Sequence, residues 1–281
     1  MEREGIFERG HVAVVTGAAY GIGKALSLRL ANKGVSVVMA DLKNDEFDAA
    51  IEAVQQSADT RGATALGVVV DVSDPEQVSN LKAKTLDTFG KVNLLINNAV
   101  TRIGRGIDAD LSEWRRAMEV NLWGPILGVR SFLPTLLENA EPAAIVNVGS
   151  KQGITNPPGH PIYNITKSAL KTYTESLQHE LRTNPNNQGE DRVTSHLLVP
   201  GWTTTGNAEH KPGARLPNQV VDMLFEGISS DQFCIVCPDD KVTQEMDRRR
   251  ILWAAQDITE NRPPLSRWHP HYAEVAKLTC K

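Results

Sequence analysis

Tyr163 and Lys167 stand four residues apart in the run YNITK, a spacing that puts a phenol and an ammonium on one helix face, one turn apart. A phenol titrates near pH 10 in water, so proton exchange at neutral pH requires stabilising phenolate by about 3 pKa units, or roughly 4 kcal/mol. A neighbouring ammonium in a low-dielectric cleft is an adequate source. Tyr163 is therefore a candidate general acid/base for a hydroxyl group. Such a pair also arises by chance on many helices, so its meaning depends on its company.

That company begins with a glycine-rich run, TGAAYGIG, from Thr16 to Gly23. It sits between an apolar strand-like run and a helical pattern starting near Ile22, the context in which backbone N–H groups and a helix N-terminus hold a pyrophosphate. Three residues separate Gly17 from Gly21, unlike the commoner G-x-G-x-x-G spacing. Asp41 closes the run VVMAD, 18 positions after Gly23. A carboxylate there accepts from an adenosine ribose 2′-OH and repels a 2′-phosphate, which favours NAD over NADP, with Lys43 softening the exclusion. Cys234 and Cys237 form a C-x-x-C pair inside FCIVC; without a second Cys/His pair nearby they read as buried strand packing, and no metal site is expected.

The elements that must position these groups follow from the pattern of apolar runs. Residues 12–16, 35–40, 65–70, 92–96, 143–148, 193–199 and 232–237 are short, almost unbroken apolar stretches, as in strands covered on both faces. Helical patterns alternate with them: one carries Phe47, Ala50, Ile51 and Val54, and others span 22–32, 75–89, 111–138, 163–183 and 240–258. Pro125 and Pro134 should kink or interrupt the 111–138 helix. The order predicts a doubly wound seven-stranded parallel sheet, a Rossmann fold with strand order 3-2-1-4-5-6-7. The polar stretch 184–191 reads as a turn. No linker divides residues 1–281, which read as a single domain with 238–281 as a C-terminal extension.

Composition agrees with an enzyme of small molecules. Thirty Lys plus Arg against 34 Asp plus Glu give a net charge of −4, so nucleic acid and anionic membrane are not expected partners. No apolar run is long enough for a membrane span, and the opening MEREGIFERGH has no signal-peptide apolar region. Three cysteines are too few for a disulfide framework. A cytoplasmic location is expected.

In this setting the chain resembles the shorter, single-domain branch of the short-chain dehydrogenases/reductases. TGAAYGIG matches the family's T-G-x-x-x-G-x-G loop, Asp71-Val72 its adenine-contacting position, Asn97-Asn98-Ala99 its N-N-A motif, and Asn121 its helix asparagine. Ser150 lies 13 residues before Tyr163, and Pro200-Gly201-Trp202 with Thr205 matches P-G-x-x-x-T. The resemblance implies cofactor contacts from Gly17, Tyr20, Gly21, Ile22, Gly23, Asp41, Asp71, Val72, Asn98, Ala99, Tyr163, Lys167, Pro200, Gly201, Thr203 and Thr205. It implies that Ser150 bonds the substrate oxygen, Tyr163 exchanges the proton, Lys167 lowers its pKa and binds ribose hydroxyls, and Asn121 anchors a water relay.

Two positions depart from the pattern: Val100 follows N-N-A where Gly is usual, and Gly149 precedes Ser150 where Ser is common. They touch cofactor placement rather than reaction class. By resemblance the segment 204–228 is the substrate lid with Trp202 at its base, and a homo-oligomer, dimer or tetramer, pairs the helices near 111–138 and 163–183. The run 151–162, with Pro157, Pro158 and Pro161, reads as a fixed wall, and His160 as a solvated loop residue. In the extension, Met246, Ile251, Leu252, Trp253 and Ala254 suggest a helix, while 261–272 looks extended and proline-stiffened. The extension is expected over the active-site mouth, on a neighbouring subunit, or on its own domain.

The function expected is NAD-dependent interconversion of a secondary alcohol and a ketone. The alternatives are an NADP-dependent carbonyl reductase, or a non-catalytic dinucleotide-binding regulator, which would normally lack Tyr or Lys. An isomerase or dehydratase of the longer branch fits the loop spacing less well.

Overall fold

The computed structural model describes residues 5–187, 192–206 and 209–280. Seven strands form one sheet in the order β3-β2-β1-β4-β5-β6-β7: β1 Val12–Thr16, β2 Ser36–Asp41, β3 Ala65–Val69, β4 Leu94–Asn97, β5 Ala143–Val148, β6 Val193–Val199 and β7 Cys234–Val236. All neighbours pair in parallel, with Val14 opposite Val38 on one side and Leu95 on the other. The predicted topology is the one observed.

Alternating strand residues feed two cores. Ala13, Val15, Val37 and Met39 face helices α1 (Gly21–Asn32) and α2 (Asp45–Asp59), while Val12, Val14, Val38 and Ala40 face α3 (Pro75–Phe89) and the helices that follow it. Local chemistry sets the helix ends. Asn44 accepts from Phe47 N at 2.8 Å to start α2. Asp74 accepts from Glu76 N at 2.9 Å ahead of Pro75, and Gly90 ends α3 in the left-handed region at φ 71°.

The predicted 111–138 helix is divided. α4 (Leu111–Met118) and α5 (Gly124–Glu138) are joined through a π-turn, Glu119–Trp123. Pro125 cannot donate to the Asn121 carbonyl, and the turn widens instead, with Gly124 N donating to Glu119 O. Pro134 lies inside α5 without ending it. After β5 come the one-turn α6 (Gln152–Thr155) and the long α7 (Pro161–Thr183). Asn156 is left-handed at φ 45°, and the Pro157 carbonyl accepts from Asn164 Nδ2 at 2.8 Å, pinning this wall to α7. Half of the turn expected at 184–191 lies outside the described residues.

Three expectations are corrected. The predicted lid includes α8 (Pro217–Ser229), whose Val220, Val221, Leu224 and Ile228 are buried in the first core and whose Phe225 stacks on Phe7. Apolar spacing of that quality belongs to a packed helix and not to a cover; residues 207–208 of the predicted lid lie outside the described set. Cys237 is buried, but Cys234 is exposed. Burial pushes the Cys237 thiol up to about 12, the mark of an inert packing cysteine.

The extension is also more ordered than its composition suggests. α9 (Gln244–Thr259) leads to two 3-10 turns, Ser266–Trp268 and Pro270–Tyr272, and α10 (Ala273–Thr279), rather than an extended run. Trp253 Nε1 donates to Ser266 Oγ at 2.7 Å, Ser266 donates to both Asp257 oxygens, and Arg262 lies 4.2 Å over Trp253. These bonds fold the prolines into turns around a small core of Trp253, Ala276 and Cys280. No described helix is long and apolar enough to cross a membrane.

Candidate active site

The cleft lies at the carboxyl ends of the strands, where the order reverses between β1 and β4, as in other open α/β sheets. Gly17 adopts φ 65°, and a Cβ there would stand 2.8 Å from Ala99 Cα. Gly23 would place a Cβ 2.0 Å from the Gly17 carbonyl; it lets α1 approach the loop and does not line the cleft. The loop is stitched to β4 by Asn98, whose Nδ2 donates to Thr16 O and Gly17 O at 2.9 Å each. Thr16 Oγ1 in turn accepts from Asn98 N and Ala99 N. The second motif residue thus shapes the loop.

The cleft encloses about 470 Å³. Gly17, Tyr20, Gly21, Ile22, Asp41, Asp71, Val72, Asn98, Ala99, Ser150, Tyr163, Lys167, Pro200, Gly201, Thr203 and Thr205 all line it. Gly17 and Thr205, the outermost of them, are 188 positions apart in sequence, and of the expected catalytic and cofactor-contacting residues Gly23 and Asn121 stand back from the surface. Asp41 accepts from Ala19 N and Leu42 N at 2.8 Å each. Burial raises its pKa, and these two bonds act against that rise. Asp71 is held by Arg116 at 2.8 Å and by Ser73; burial works against its ionisation, but Ser73 and Arg116 leave its pKa below the ordinary value. Val100 is not among the residues with positive φ, so the missing glycine leaves no strain.

At the inner end, Lys167 is buried and its Nζ donates to the Val148 carbonyl at 2.7 Å while lying 5.8 Å from the centre of the Tyr163 ring. Burial pushes the Tyr163 hydroxyl up, yet the charges of Lys167 and Arg102, with smaller help from Ser150, outweigh it and lower the pKa. Lys167 is lowered mainly by burial, opposed by Tyr163. Asn121 is buried one step away. Its Oδ1 accepts from Thr101 N at 2.8 Å and its Nδ2 donates to Thr101 O at 2.9 Å and to Thr166 Oγ1 at 3.2 Å.

Arg102 was not foreseen. Its Nη2 stands 3.4 Å from the Tyr163 hydroxyl and its guanidinium carbon 4.8 Å from the ring centre. The available signal was its place, three residues beyond N-N-A at the mouth of β4. His160 lines neither this cleft nor the adjoining one. That second cavity, about 250 Å³, shares Arg102, Ser150, Pro200 and Gly201 with the cleft and adds Trp202. The extension forms part of its wall through Asp247, Arg250, Ile251 and Arg267, with Lys151 Nζ bridging to Asp247 at 2.5 Å and Asp239 at 3.5 Å. Of the places foreseen for the extension, the active-site mouth of its own domain is the one observed, through the Lys151–Asp247 bridge and the wall of the second cavity. Among the described residues no cluster of His, Cys, Asp or Glu is placed to hold a metal.

Similarity to known proteins agrees with this geometry. A family model described as short chain dehydrogenase matches residues 11–214. The 1-deoxy-11-beta-hydroxypentalenate dehydrogenase of Streptomyces exfoliatus is 30% identical over 267 residues, which cover 91% of this chain and 93% of that protein. A 3-oxoacyl-(acyl-carrier-protein) reductase of Synechocystis sp. is 30% identical over 200 residues, 71% of this chain and 76% of that one. A crystal structure of a short chain dehydrogenase/reductase from Burkholderia phymatum in complex with NAD superimposes with a TM-score of 0.79 at 30% identity, covering 92% of this chain and 97% of that chain. The family match and these relatives show that the chain belongs to the short-chain dehydrogenase family and is an oxidoreductase acting on CH–OH groups.

Proposed function

We propose that the protein is an NAD-dependent dehydrogenase that interconverts a secondary alcohol and a ketone. The observation that carries the reading is the Tyr163 hydroxyl, held beside Lys167 and Arg102 in a cleft that shares Arg102 and Ser150 with a second cavity. The cleft fits the cofactor: the Gly17 turn leaves no room for a side chain, α1 presents its N-terminus, and Asp41 ends β2 facing the same space. A bound nicotinamide supplies the hydride chemistry.

The residues supply the rest. In oxidation, the substrate hydroxyl gives its proton to Tyr163 Oη as the carbinol hydride leaves, and reduction returns it. Lys167 stabilises the phenolate and faces the cleft where ribose hydroxyls would lie. Ser150, at the junction of the two cavities, donates to the substrate oxygen as charge gathers there. Asp41 favours NAD, because a 2′-phosphate beside its carboxylate would be repelled. We read residues 1–281 as one functional unit, the extension completing the substrate side. Exposed Leu111, Trp123 and Ile165 on α4, the π-turn and α7 support a homo-oligomer through these helices.

The test is Tyr163→Phe with a panel of secondary alcohols and ketones. NADH binding, read by fluorescence, should persist, while turnover falls by about three orders of magnitude or more, in keeping with loss of a general acid/base and its oriented hydrogen bond. Full turnover in this variant would overturn the mechanism.

A further inference from the structure

The charges around the second cavity do not balance. Four cationic side chains, Arg102, Lys151, Arg250 and Arg267, line it against two carboxylates, Asp239 and Asp247. Lys151 already occupies both carboxylates, at 3.5 and 2.5 Å. Among the described residues the three arginines have no ion pair within 4.0 Å. Arg102 touches the Tyr163 hydroxyl and ring, and Arg267 lies 4.1 Å over Trp268. Arg250 Nε is shut from solvent without a hydrogen-bond partner.

Arg250 and Arg267 are half-buried and Arg102 stands exposed at the rim; guanidinium groups partly withdrawn from water with no carboxylate beside them attract an anion. Arg250 and Arg267 line this cavity and a small one of about 10 Å³ beside it, but not the dinucleotide cleft, so an anion they face belongs to the substrate side. Arg102 lines both and touches the proton-exchanging phenol, which fixes how near the anion comes to the reacting carbon. Planar guanidinium forks match a carboxylate through paired N–H···O bonds.

We propose that the substrate is a hydroxy acid, or the corresponding keto acid, whose carboxylate enters the second cavity and is held by Arg102, with Arg250 and Arg267 of the extension behind it. The carboxylate is a handle and is unchanged by the reaction. The inference rests on the alcohol–ketone reading above and refines its substrate class. It also gives the extension a task, since a chain without Arg250 and Arg267 would keep its cofactor cleft and lose most of this anion site.

The experiment pairs alicyclic secondary hydroxy acids with their methyl esters in NAD reduction assays. In parallel, the NADH-bound enzyme is titrated calorimetrically with cyclohexanecarboxylate and with its neutral carboxamide. The acid should be favoured over the ester, and the carboxylate over the amide, by about ten- to hundredfold, the range of hydrogen bonds to charged groups. The preference should weaken with added salt. Arg102→Gln and Arg250→Gln should each reduce it at least severalfold, chiefly through KM, and Arg102→Lys should restore part of it; NADH fluorescence checks that each variant is folded.

The two readings fail separately. Neutral alcohols oxidised as well as their acids, with the carboxylate binding no better than the amide, would overturn the hydroxy-acid proposal and leave the dehydrogenase reading standing. Carboxylate binding that depends on Arg102 and Arg250, with no alcohol or ketone turned over, would support the anion site and sink the dehydrogenase reading. A preference for acids that survives both glutamine variants would overturn the assignment of the arginines.

Discussion

Replacing Arg102 by Gln removes a positive charge 3.4 Å from the Tyr163 hydroxyl, and the sign of the effect follows directly. A cation beside the phenol favours phenolate, so its loss raises the Tyr163 pKa, and Lys167, which Arg102 also lowers, moves the same way. Coulomb's law at that distance gives about 1.2 kcal/mol at the dielectric of water and about 4.9 kcal/mol at an effective dielectric near 20. Arg102 is exposed, so solvent screening places the effect near the lower figure, about 1 pH unit. In alcohol oxidation the ascending limb of kcat/KM, which reports Tyr163 becoming phenolate, should therefore move up by about 1 pH unit. In ketone reduction the descending limb should move up by a similar amount. Neutral substrates must be used, so that loss of a carboxylate partner does not enter the profile, and Arg102→Lys should stay near the parent curve. An unmoved profile, or one displaced to lower pH, would refute the assignment of Arg102 to the phenol.

Other perturbations reach the remaining parts of the site. Asp41→Ser should lower the NAD over NADP preference in kcat/KM by about ten- to hundredfold, the range of a charge-assisted hydrogen bond; an unchanged ratio would remove the argument from Asp41. Trp253→Ala takes the largest side chain from the small core of the extension, at a local cost of about 3–5 kcal/mol. Proteolysis should then nick residues 238–281 while NADH binding persists, and joint loss of both would show that the extension is integral to the cofactor fold. Asn121→Ala leaves the Thr101 N–H and C=O unpaired, at about 1–3 kcal/mol of stability. It should also reproduce part of the Arg102→Gln shift in pH profile, and additive shifts in the double variant would deny any coupling between the two.

The central architecture was legible because its physics is local. Apolar runs such as VAVVT and AAIVNV need no tertiary information to read as doubly covered strands, and Gly17 stands directly between a strand and a helix that opens on Gly21 and Gly23. The same locality explains what was misread. Ser266 holds Asp257 and Trp253, nine and thirteen residues earlier, so the turns of the extension come from contacts that no periodicity reveals. α8 was assigned to a lid by resemblance, although Val220, Val221 and Leu224 carried the spacing of a core-facing helix. Arg102 had neither motif nor period. Its importance comes from β4 ending at the cleft and from α7 bringing Tyr163, 61 positions away in sequence, to meet it.

The asparagine shows how these two kinds of information join. By resemblance Asn121 anchors a water relay, yet its side-chain amide is already committed, gripping the Thr101 backbone on both its N–H and its C=O. One lone pair of Oδ1 and the main chain are what remain for a water at this position. The residue that makes this grip lies in the widened turn, which occurs where Pro125 has no N–H to offer the Asn121 carbonyl. Thr101 is joined to Arg102, whose guanidinium lies on Tyr163. A proline four residues beyond the asparagine, visible in the sequence only as a helix-breaker, thus stands beside the contacts that join Asn121, Thr101 and Arg102 to the Tyr163 phenol.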